Sequence, residues 1–286
     1  MRLAFVGLGV MGAPMAGHWQ AAGHQVCVYN RSIARAEAWR DRHGGQVALT
    51  PAEAAHNADV VAVCVGNDDD VRSVVLGDSG VLAGMRAGAV LVDHTTASAV
   101  LARELEAAAL MRGAGFLDAP VSGGQAGAEN GQLTVMAGGS QDSFDAVLPV
   151  LDVYARSVRL LGPAGSGQLA KMVNQICIAG VLQGLAEGLA FAQRAGLDPE
   201  AVVDVISKGA AASWQMENRS ATMIADEFEF GFAVDWMRKD LGIALSEARN
   251  NGSTLPLTAL VDQFYGDLQA AGGGRWDTSS LVRRLR

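Results

Sequence analysis

The feature that most constrains the fold is a glycine-rich turn between an apolar strand and a helix at the start of the chain. Leu3 to Val6 is a short apolar run that suits a buried parallel strand. The turn that follows at once consists of Gly7, Leu8, Gly9, Val10, Met11 and Gly12. A helical pattern to Ala22 and a second apolar run from Val26 to Tyr29 come next. A strand, a G-x-G-x-x-G turn, a helix and a strand within about thirty residues predict a dinucleotide-binding unit.

Each glycine has its own role in such a turn. Gly7 permits the tight bend, Gly9 lets the backbone approach a pyrophosphate, and Gly12 lets the helix pack on the strand. The N-terminus of the helix then faces the phosphates. The alternative is a glycine-rich connection that binds no ligand.

The residues after the second strand indicate which dinucleotide is preferred. An NAD site usually has an acidic residue here for the ribose hydroxyls, but this chain has Asn30, Arg31 and Ser32. Asn30 does not repel a 2′-phosphate, and Arg31 can pair with one through charge-assisted hydrogen bonds. We therefore predict NADP(H) in preference to NAD(H). The alternative is that Arg31 is an ordinary exposed arginine at a helix start.

A further predicted strand, from Asp59 to Val65, ends in a polar segment that begins with Gly66 and Asn67. Ligands of α/β proteins bind at the carboxyl ends of parallel strands, so Val65, Gly66 and Asn67 are candidate cofactor contacts, with Asn67 at a ribose. The acidic run after Asn67 has a second interpretation. It can be the first turn of a helix, where negative charge complements the helix dipole.

The next predicted strand, from Ala89 to Val92, leads to His94 and Thr95. The hydroxyl of Thr95 is placed either to border a nicotinamide ring or to cap the following helix. We expect His94 to be a structural histidine.

The segment DAPVSGGQAGAENG contains the sequence Ser122, Gly123 and Gly124. Two adjacent glycines after a serine expose backbone N–H groups beside a hydroxyl, and this arrangement can hold a carboxylate. The alternative is a flexible loop.

A stretch of helical periodicity runs from Gly165 to Ala195 without a proline. At about 1.5 Å per residue it predicts a helix of roughly 45 Å. Ser166 is the expected N-cap and Gly196 the expected end. The stretch is apolar nearly all round, so we expect it to be buried between two domains or two subunits.

Lys171 is the only cation between Gly165 and Gln193. Asn174 is three residues further on and therefore shares its helix face. One interpretation is a general acid/base beside a polar positioning group. The other is a lysine near the helix end that reaches solvent.

The remaining patterns define two domains. Gly162-Pro163-Ala164 marks a boundary, which gives domains of residues 1–162 and 163–286. Strand and helix patterns alternate in the first domain, whereas the second contains only helical patterns, one of which starts at Asp198-Pro199.

Composition excludes several functions. The net charge of −8 argues against a nucleic-acid partner. The three cysteines, Cys27, Cys64 and Cys177, are widely spaced, so we expect reduced core residues of a cytoplasmic protein and no metal site. The long helix should not cross a membrane, because polar residues interrupt it at Lys171, Asn174, Gln175, Gln183 and Glu187.

Four segments in order resemble the β-hydroxyacid dehydrogenase family: GLGVMGAPMA, DAPVSGGQAGAENGQLTVMAGG, GSGQLAKMVNQ and KDLGIAL. The family includes 3-hydroxyisobutyrate dehydrogenase, tartronate semialdehyde reductase and the glyoxylate/succinic semialdehyde reductases. The resemblance implies an α/β fold with an N-terminal Rossmann domain, a long interdomain helix and an all-α C-terminal domain. It also implies a homodimer or homotetramer, and hydride transfer between a nicotinamide and a small β- or γ-hydroxyacid or its semialdehyde acid.

The resemblance also assigns residues. Lys171 is the expected catalytic residue, Asn174 positions the substrate, and Lys239 closes over the cofactor. Thr95 borders the nicotinamide. The substrate carboxylate is expected at Ser122, Gly123 and Gly124.

Two pairs depart from the family pattern. Gly66-Asn67 stands where the family often has Leu-Pro, and Asn174-Gln175 is closer to the tartronate/succinic semialdehyde branch than to the hydroxyisobutyrate enzymes. We expect Gln175 and Trp214 to border the substrate.

The resemblance leaves three alternatives. An imine reductase shares the architecture but usually has Asp or Tyr at the position of Lys171. A non-catalytic NADP-binding relative tends to have lost the lysine. A 6-phosphogluconate dehydrogenase is longer and has a basic cluster for a sugar phosphate.

Overall fold

The computed structural model describes residues 1–286, which form two compact units, Met1–Lys171 and Met172–Arg286. The first unit is α/β and the second is helical. Packing assigns the first six residues of the long helix, Ser166–Lys171, to the first unit. The boundary after residue 162 stays a prediction from sequence.

The first unit is built on a nine-stranded sheet in the order β3-β2-β1-β4-β5-β6-β8-β7, with β9 paired to β8. Its strands are β1 (Arg2–Val6), β2 (Gln25–Tyr29), β3 (Gln46–Val47), β4 (Val60–Val63), β5 (Val90–Asp93), β6 (Gly115–Asp118), β7 (Val121–Ser122), β8 (Leu133–Gly139) and β9 (Ala155–Leu160). Strands β1 to β6 are parallel and have the order of a doubly wound fold. The α/β expectation is confirmed.

Helices cover both faces of this sheet. They are α1 (Gly12–Ala21), α2 (Ile33–His43), α3 (Pro51–Ala55), α4 (Asp68–Leu76), α5 (Val81–Gly84), α6 (Ala99–Met111), α7 (Gly124–Glu129) and α8 (Gln141–Leu151). Side chains of β1 alternate between two apolar clusters: Leu3 and Phe5 pack into one, and Ala4 and Val6 into the other. Burial on both faces explains why this strand is a continuous apolar run.

The strand register brings the candidate segments to one edge of the sheet. Val6 lies opposite Tyr29 on one side and Val63 on the other. Val63 in turn lies opposite Asp93, and Asp93 opposite Asp118. The segments that follow these five residues therefore all start along the carboxyl edge of the sheet.

The second unit contains helices around its own apolar core, to which α9 contributes Leu182 and Leu189. The helices are α9 (Ser166–Arg194), which begins in the first unit, α10 (Pro199–Ile206), α11 (Trp214–Ala225), α12 (Val234–Asn251), α13 (Pro256–Ala270) and a 3₁₀ helix (Thr278–Leu285). Asp198 caps α10 by accepting the N–H of Glu200, as expected. The all-helical prediction for this part of the chain is confirmed.

Helix α9 differs from its sequence-based description in two respects. Ser166 is its first helical residue, so it is not the N-cap. One face of the helix is exposed, because Val173, Val181 and Phe191 have exposed fractions of 60%, 40% and 72%. The helix is thus buried on one side only.

The cysteine prediction needs a correction for the same reason. All three cysteines are free thiols, but Cys177 is exposed on α9, and Cys27 and Cys64 are only partly buried. The neighbours of Cys177 in sequence are apolar, but the cysteine lies on the exposed face of α9 and is not a core residue.

Helix α9 is long and apolar enough to span a membrane, judged by length and composition alone. In the most apolar 18-residue stretch of this helix, 50% is buried inside the protein. The core helices of many soluble proteins have the same length and composition. That it does not cross a membrane stays a prediction.

Candidate active site

The glycine-rich turn has the geometry that a dinucleotide requires. Gly7 has φ +99°, and a Cβ on it would meet the carbonyl oxygen of Cys64. A Cβ on Gly12 would meet the carbonyl oxygen of Gly7 and the ring of Phe5. By contrast, a Cβ on Gly9 would meet no atom within 4 Å, and no side chain caps the start of α1. The turn thus leaves open space in front of a helix N-terminus, which fits a pyrophosphate.

Asn30 is part of this turn. Its Oδ1 accepts the N–H of Leu8 at 3.0 Å, and its Nδ2 donates to the carbonyl of Ser32 at 3.1 Å. An aspartate could accept the first hydrogen bond but could not donate the second. Asn30 therefore fixes the backbone around the candidate phosphate site, a role that the sequence did not indicate.

Arg31 projects from the same edge into solvent. Its side chain is 92% exposed, and its Nη1 lies 3.8 Å from the carboxylate of Asp70. An exposed pair of this kind contributes little to stability. Arg31 therefore keeps the freedom to meet an anionic group, and it also fits the alternative of an ordinary exposed arginine.

Thr95 connects two neighbouring segments at the sheet edge. It is 2% exposed, and its Oγ1 accepts the N–H of Val65 at 3.1 Å. Its own N–H donates to Asp93 at 2.9 Å. Ser98, rather than Thr95, caps α6 by accepting the N–H of Leu101. The interpretation of Thr95 as a helix cap was therefore wrong.

Asn67 is the N-cap of α4, where its Oδ1 accepts the N–H of Asp70 at 2.9 Å. The acidic residues that follow form the first turn of that helix, so the structural interpretation of this run is confirmed. Asp68 also accepts the backbone N–H of Ser98 at 3.0 Å, which joins the starts of α4 and α6. A ribose contact at Val65, Gly66 or Asn67 stays a prediction.

His94 is structural, as expected. Its Nδ1–H donates to the carbonyl of Ala119 at 2.6 Å, and its Nε2 accepts the hydroxyl of Tyr154 at 2.7 Å. Burial lowers the pKa of His94 to about 4. The ring is therefore neutral at physiological pH and holds β5 against the segment after β6.

Two buried carboxyl groups lie side by side next to it. Asp93 and Asp118 are paired in register at the ends of β5 and β6. Burial raises the pKa of Asp93 to about 7 and that of Asp118 to about 6. Both groups hold backbone N–H groups of the candidate site, and neither was identified from sequence.

The serine–glycine segment joins a strand to a helix. Ser122 ends β7, and α7 starts at Gly124. Gly123 and Gly124 have φ of +132° and +62°, so both occupy backbone regions that side chains disfavour. A Cβ on Gly124 would meet nothing within 4 Å. The segment is thus the end of a strand and the start of a helix rather than a loop, and its exposed backbone fits a carboxylate site.

The start of α9 is fastened to the sheet by one carboxylate. Asp118, which is fully buried, accepts the N–H of Gly165 at 2.7 Å and that of Gln168 at 2.8 Å. These are N–H groups that have no partner inside the helix. Asp118 thus supplies from a neighbouring strand the cap that Ser166 was expected to provide.

Gln168 makes a second connection from this helix turn. Its Oε1 accepts the N–H of Ala97 at 3.0 Å, and its Nε2 donates to the carbonyl of Thr95 at 2.7 Å. Lys171, one turn further, is 7% exposed. The interpretation of Lys171 as a lysine extended into solvent was therefore wrong.

In the second unit, a series of side-chain contacts connects Asn174 to Lys239. Asn174 donates to Gln175 at 2.8 Å, and Gln175 donates to Asp240 at 2.7 Å. The Nζ of Lys239 lies 3.2 Å from the same carboxylate of Asp240. Gln175 and Asp240 are 2% and 3% exposed, so Gln175 uses its amide to hold a buried carboxylate. Contact of Gln175 or the half-exposed Trp214 with substrate stays a prediction.

Two family models and a curated relative match this chain. Residues 2–162 match a family model described as the NAD binding domain of 6-phosphogluconate dehydrogenase. Residues 165–285 match one described as NAD-binding of NADP-dependent 3-hydroxyisobutyrate dehydrogenase. The 2-hydroxy-3-oxopropionate reductase of Escherichia coli is 33% identical over 100% of this chain and 97% of its own length.

The chain belongs to the β-hydroxyacid dehydrogenase family.

Two further relatives match over at least 99% of the chain. A Shewanella frigidimarina protein described as an uncharacterized oxidoreductase is 65% identical over 99% of this chain and 98% of its own. The structure of Mycobacterium tuberculosis 3-hydroxyisobutyrate dehydrogenase with L-serine has a TM-score of 0.89 at 33% identity, covering 100% and 99% of the two chains. The protein is therefore an NAD(P)-binding hydroxyacid dehydrogenase.

Sequence analysis did not identify three residues that hold backbone groups of the candidate site in the first unit, Asp93, Asp118 and Gln168, nor Asp240, the buried partner of Gln175 in the second unit. One signal was present. Asp93 and Asp118 each end an apolar run that predicts a parallel strand, and buried strands rarely end in a carboxylate without a partner.

Proposed function

We propose that this protein transfers a hydride between NADP(H) and a small β- or γ-hydroxyacid or its semialdehyde acid, with Lys171 as general acid/base. The observation that carries this proposal is the placement of Lys171. It is a buried lysine one turn beyond Gln168, which is bonded to the Thr95 segment at the dinucleotide edge.

A bound nicotinamide supplies or accepts the hydride. In the reductive direction, the protonated Nζ of Lys171 donates its proton to the substrate carbonyl oxygen. In the oxidative direction, the neutral amine removes the hydroxyl proton. Assistance of this kind accelerates a reaction by about 10²–10⁴-fold.

The substrate carboxylate is assigned to Ser122 and to the backbone N–H groups of Gly123 and Gly124. The exposed backbone of the two glycines, with positive φ at both, supports this assignment. Asn174 positions the substrate. The structural relative named above is described with L-serine, which has both a carboxylate and a β-hydroxyl group. That pair of groups is the one found in the β-hydroxyacids of the proposed substrate class.

The preference for NADP(H) rests on Arg31 and Asn30. Arg31 is an exposed cation beside the glycine-rich turn, and Asn30 brings no negative charge to the ribose position. The description of the matching C-terminal family model as NADP-dependent supports the same choice. Lys239, held by Asp240, is the proposed second cation near the cofactor.

We also propose a homodimer or homotetramer in which a second copy covers the exposed face of α9. Val173, Val181 and Phe191 recur on this face together with Cys177, and their exposure would otherwise leave an apolar stripe in water. The free thiols are compatible with a cytoplasmic location, and the net charge of −8 argues against nucleic acid.

The test is turnover by wild type and the variant Lys171→Met against glyoxylate, tartronate semialdehyde, succinic semialdehyde and methylmalonate semialdehyde, with NADPH and NADH. Wild type should reduce at least one acid, and Lys171→Met should bind NADPH normally but lose about 10²-fold or more in turnover. Lys208→Met, which removes an exposed lysine, is the matched control and should remain active.

Near-normal turnover by Lys171→Met would end the proposal. A cyclic imine belongs in the panel as well. If wild type reduces the imine and none of the acids, the protein acts as an imine reductase on the same architecture.

A further inference from the structure

We propose that Gln168 is a positioning residue that sets where Lys171 stands relative to the Thr95 segment during proton transfer. This inference rests on the proposed function, because it assigns Gln168 a role through Lys171. No ligand contact is assigned to Gln168 itself.

Both ends of the Gln168 side chain are used. The side chain is 1% exposed, with Oε1 accepting from Ala97 at 3.0 Å and Nε2 donating to Thr95 at 2.7 Å. The amide bridges two backbone groups of one short segment, so the helix turn and that segment move together. Buried amide hydrogen bonds are costly to break, because each lost partner leaves an unsatisfied polar group.

The backbone of this helix turn is also held. Gln168 and Lys171 are three residues apart, so they lie on one face of α9 with a rise of about 4.5 Å between them. The backbone N–H of Gln168 is held by Asp118 at 2.8 Å. The backbone that carries Lys171 is therefore fixed to the sheet through Asp118 and to the Thr95 segment through Gln168.

The Thr95 segment is in turn fixed to the dinucleotide edge. Thr95 Oγ1 accepts from Val65 after β4, and Thr95 N–H donates to Asp93 at the end of β5. A continuous path of hydrogen bonds thus runs from the lysine-bearing helix turn to the strands that form the cofactor site. A displacement of about 1 Å at a reacting group can cost about 10²-fold in rate.

The two hydrogen bonds of Gln168, to Ala97 and Thr95, depend on both groups of its side-chain amide. The position needs one donor and one acceptor on the same planar group. Leucine has neither, and an ionised glutamate can only accept. A protonated glutamic acid has an O–H donor and a carbonyl acceptor, so it restores both hydrogen bonds.

The first measurement compares Gln168→Leu with Gln183→Leu. Gln183 is a buried glutamine on the same helix, 4% exposed, whose amide donates to Glu187 at 2.6 Å. We expect Gln168→Leu to lower kcat by about 10- to 100-fold while the Kd for NADPH changes by less than about threefold. The primary isotope effect with C4-deuterated NADPH should rise. Gln183→Leu should keep the wild-type kcat and isotope effect.

The second measurement is the pH profile of Gln168→Glu. We expect its kcat, relative to wild type at the same pH, to recover as pH falls and the buried carboxyl group becomes protonated. A loss of stability alone would lower the melting temperature of both leucine variants without raising the isotope effect. Wild-type kcat in Gln168→Leu, or a kcat loss equal to that of Gln183→Leu, would overturn the inference.

The lysine variant separates the two proposals. If Lys171→Met retains turnover, the proposed function fails whatever Gln168 does. If Lys171→Met is inactive and Gln168→Leu is normal in kcat and isotope effect, the proposed function stands and only the role of Gln168 fails.

Discussion

The carboxylate of Asp118 accepts the backbone N–H of Gln168 at 2.8 Å, across 50 residues of sequence. A strand end thus satisfies the first turn of the longest helix, where N–H groups lack partners and the helix dipole favours a negative charge. Both residues lie in the first compact unit, which extends as far as Lys171.

Asp118→Ala should lower the free energy of unfolding by about 2–4 kcal/mol, because two buried N–H groups lose their acceptor. Urea denaturation near neutral pH measures the loss. The control is Asp198→Ala, which removes an exposed N-cap and should cost about 1 kcal/mol. If the two variants lose the same free energy of unfolding, the buried cap at Asp118 stabilises the protein no more than an exposed N-cap does.

Stability should fall as pH rises through about 7, because burial raises the pKa of Asp93 to about 7. The folded state then binds a proton that the unfolded chain has already lost, so this contribution is present at low pH and is lost on the alkaline side. Between pH ~6.5 and ~8 the loss should be about 1 kcal/mol.

Asp93→Asn should flatten that decline, because asparagine does not titrate and its Oδ1 can still accept the N–H of Thr95. Urea unfolding of both proteins across this range is the measurement. His94 is present in both proteins, so its opposite contribution, which is lost as pH falls through 6.5 towards about 4, cancels in the comparison. An unchanged slope in Asp93→Asn would contradict the assignment.

Arg31→Ala should raise the Kd for NADPH by about 10- to 100-fold and leave that for NADH nearly unchanged, because only the former has a 2′-phosphate. Fluorescence titration with both cofactors measures this. Arg42→Ala, at the far end of α2, is the exposed-arginine control. Asp70→Asn should tighten NADPH, since it removes a carboxylate 3.8 Å from the guanidinium. Equal losses for both cofactors would refute the preference.

Phe191→Glu should weaken the proposed self-association, because it places a charge on the exposed apolar face of α9. Light scattering after size exclusion should show an oligomer for wild type and a smaller species for the variant. Leu110→Glu, a change at an exposed apolar residue of α6, should leave the mass unaltered. A monomeric wild-type protein would contradict the proposal directly.

Local sequence was enough for the elements whose cause is local. Gly7 to Gly12 predict the first turn because only glycine tolerates the close contacts with Cys64 and Phe5. Apolar runs predict parallel strands that are buried on both faces, and the 3.6-residue period predicts α9. The short strand β3 and the short helix α7 were missed, since few residues define each of them.

The arrangement of the candidate site depended on tertiary structure. Gln168 reaches Ala97 and Thr95 across 71 and 73 residues, and Gln175 reaches Asp240 across 65. No local pattern specifies such pairs, because they follow from strand register and from how helices pack. The sequence by itself determined the glycine-rich turn, the position of Lys171 on a long helix and the fold class. Only the tertiary structure decided that Lys171 is buried and that Asp118 and Gln168 hold its helix turn, because burial and long-range hydrogen bonding depend on residues brought together by folding.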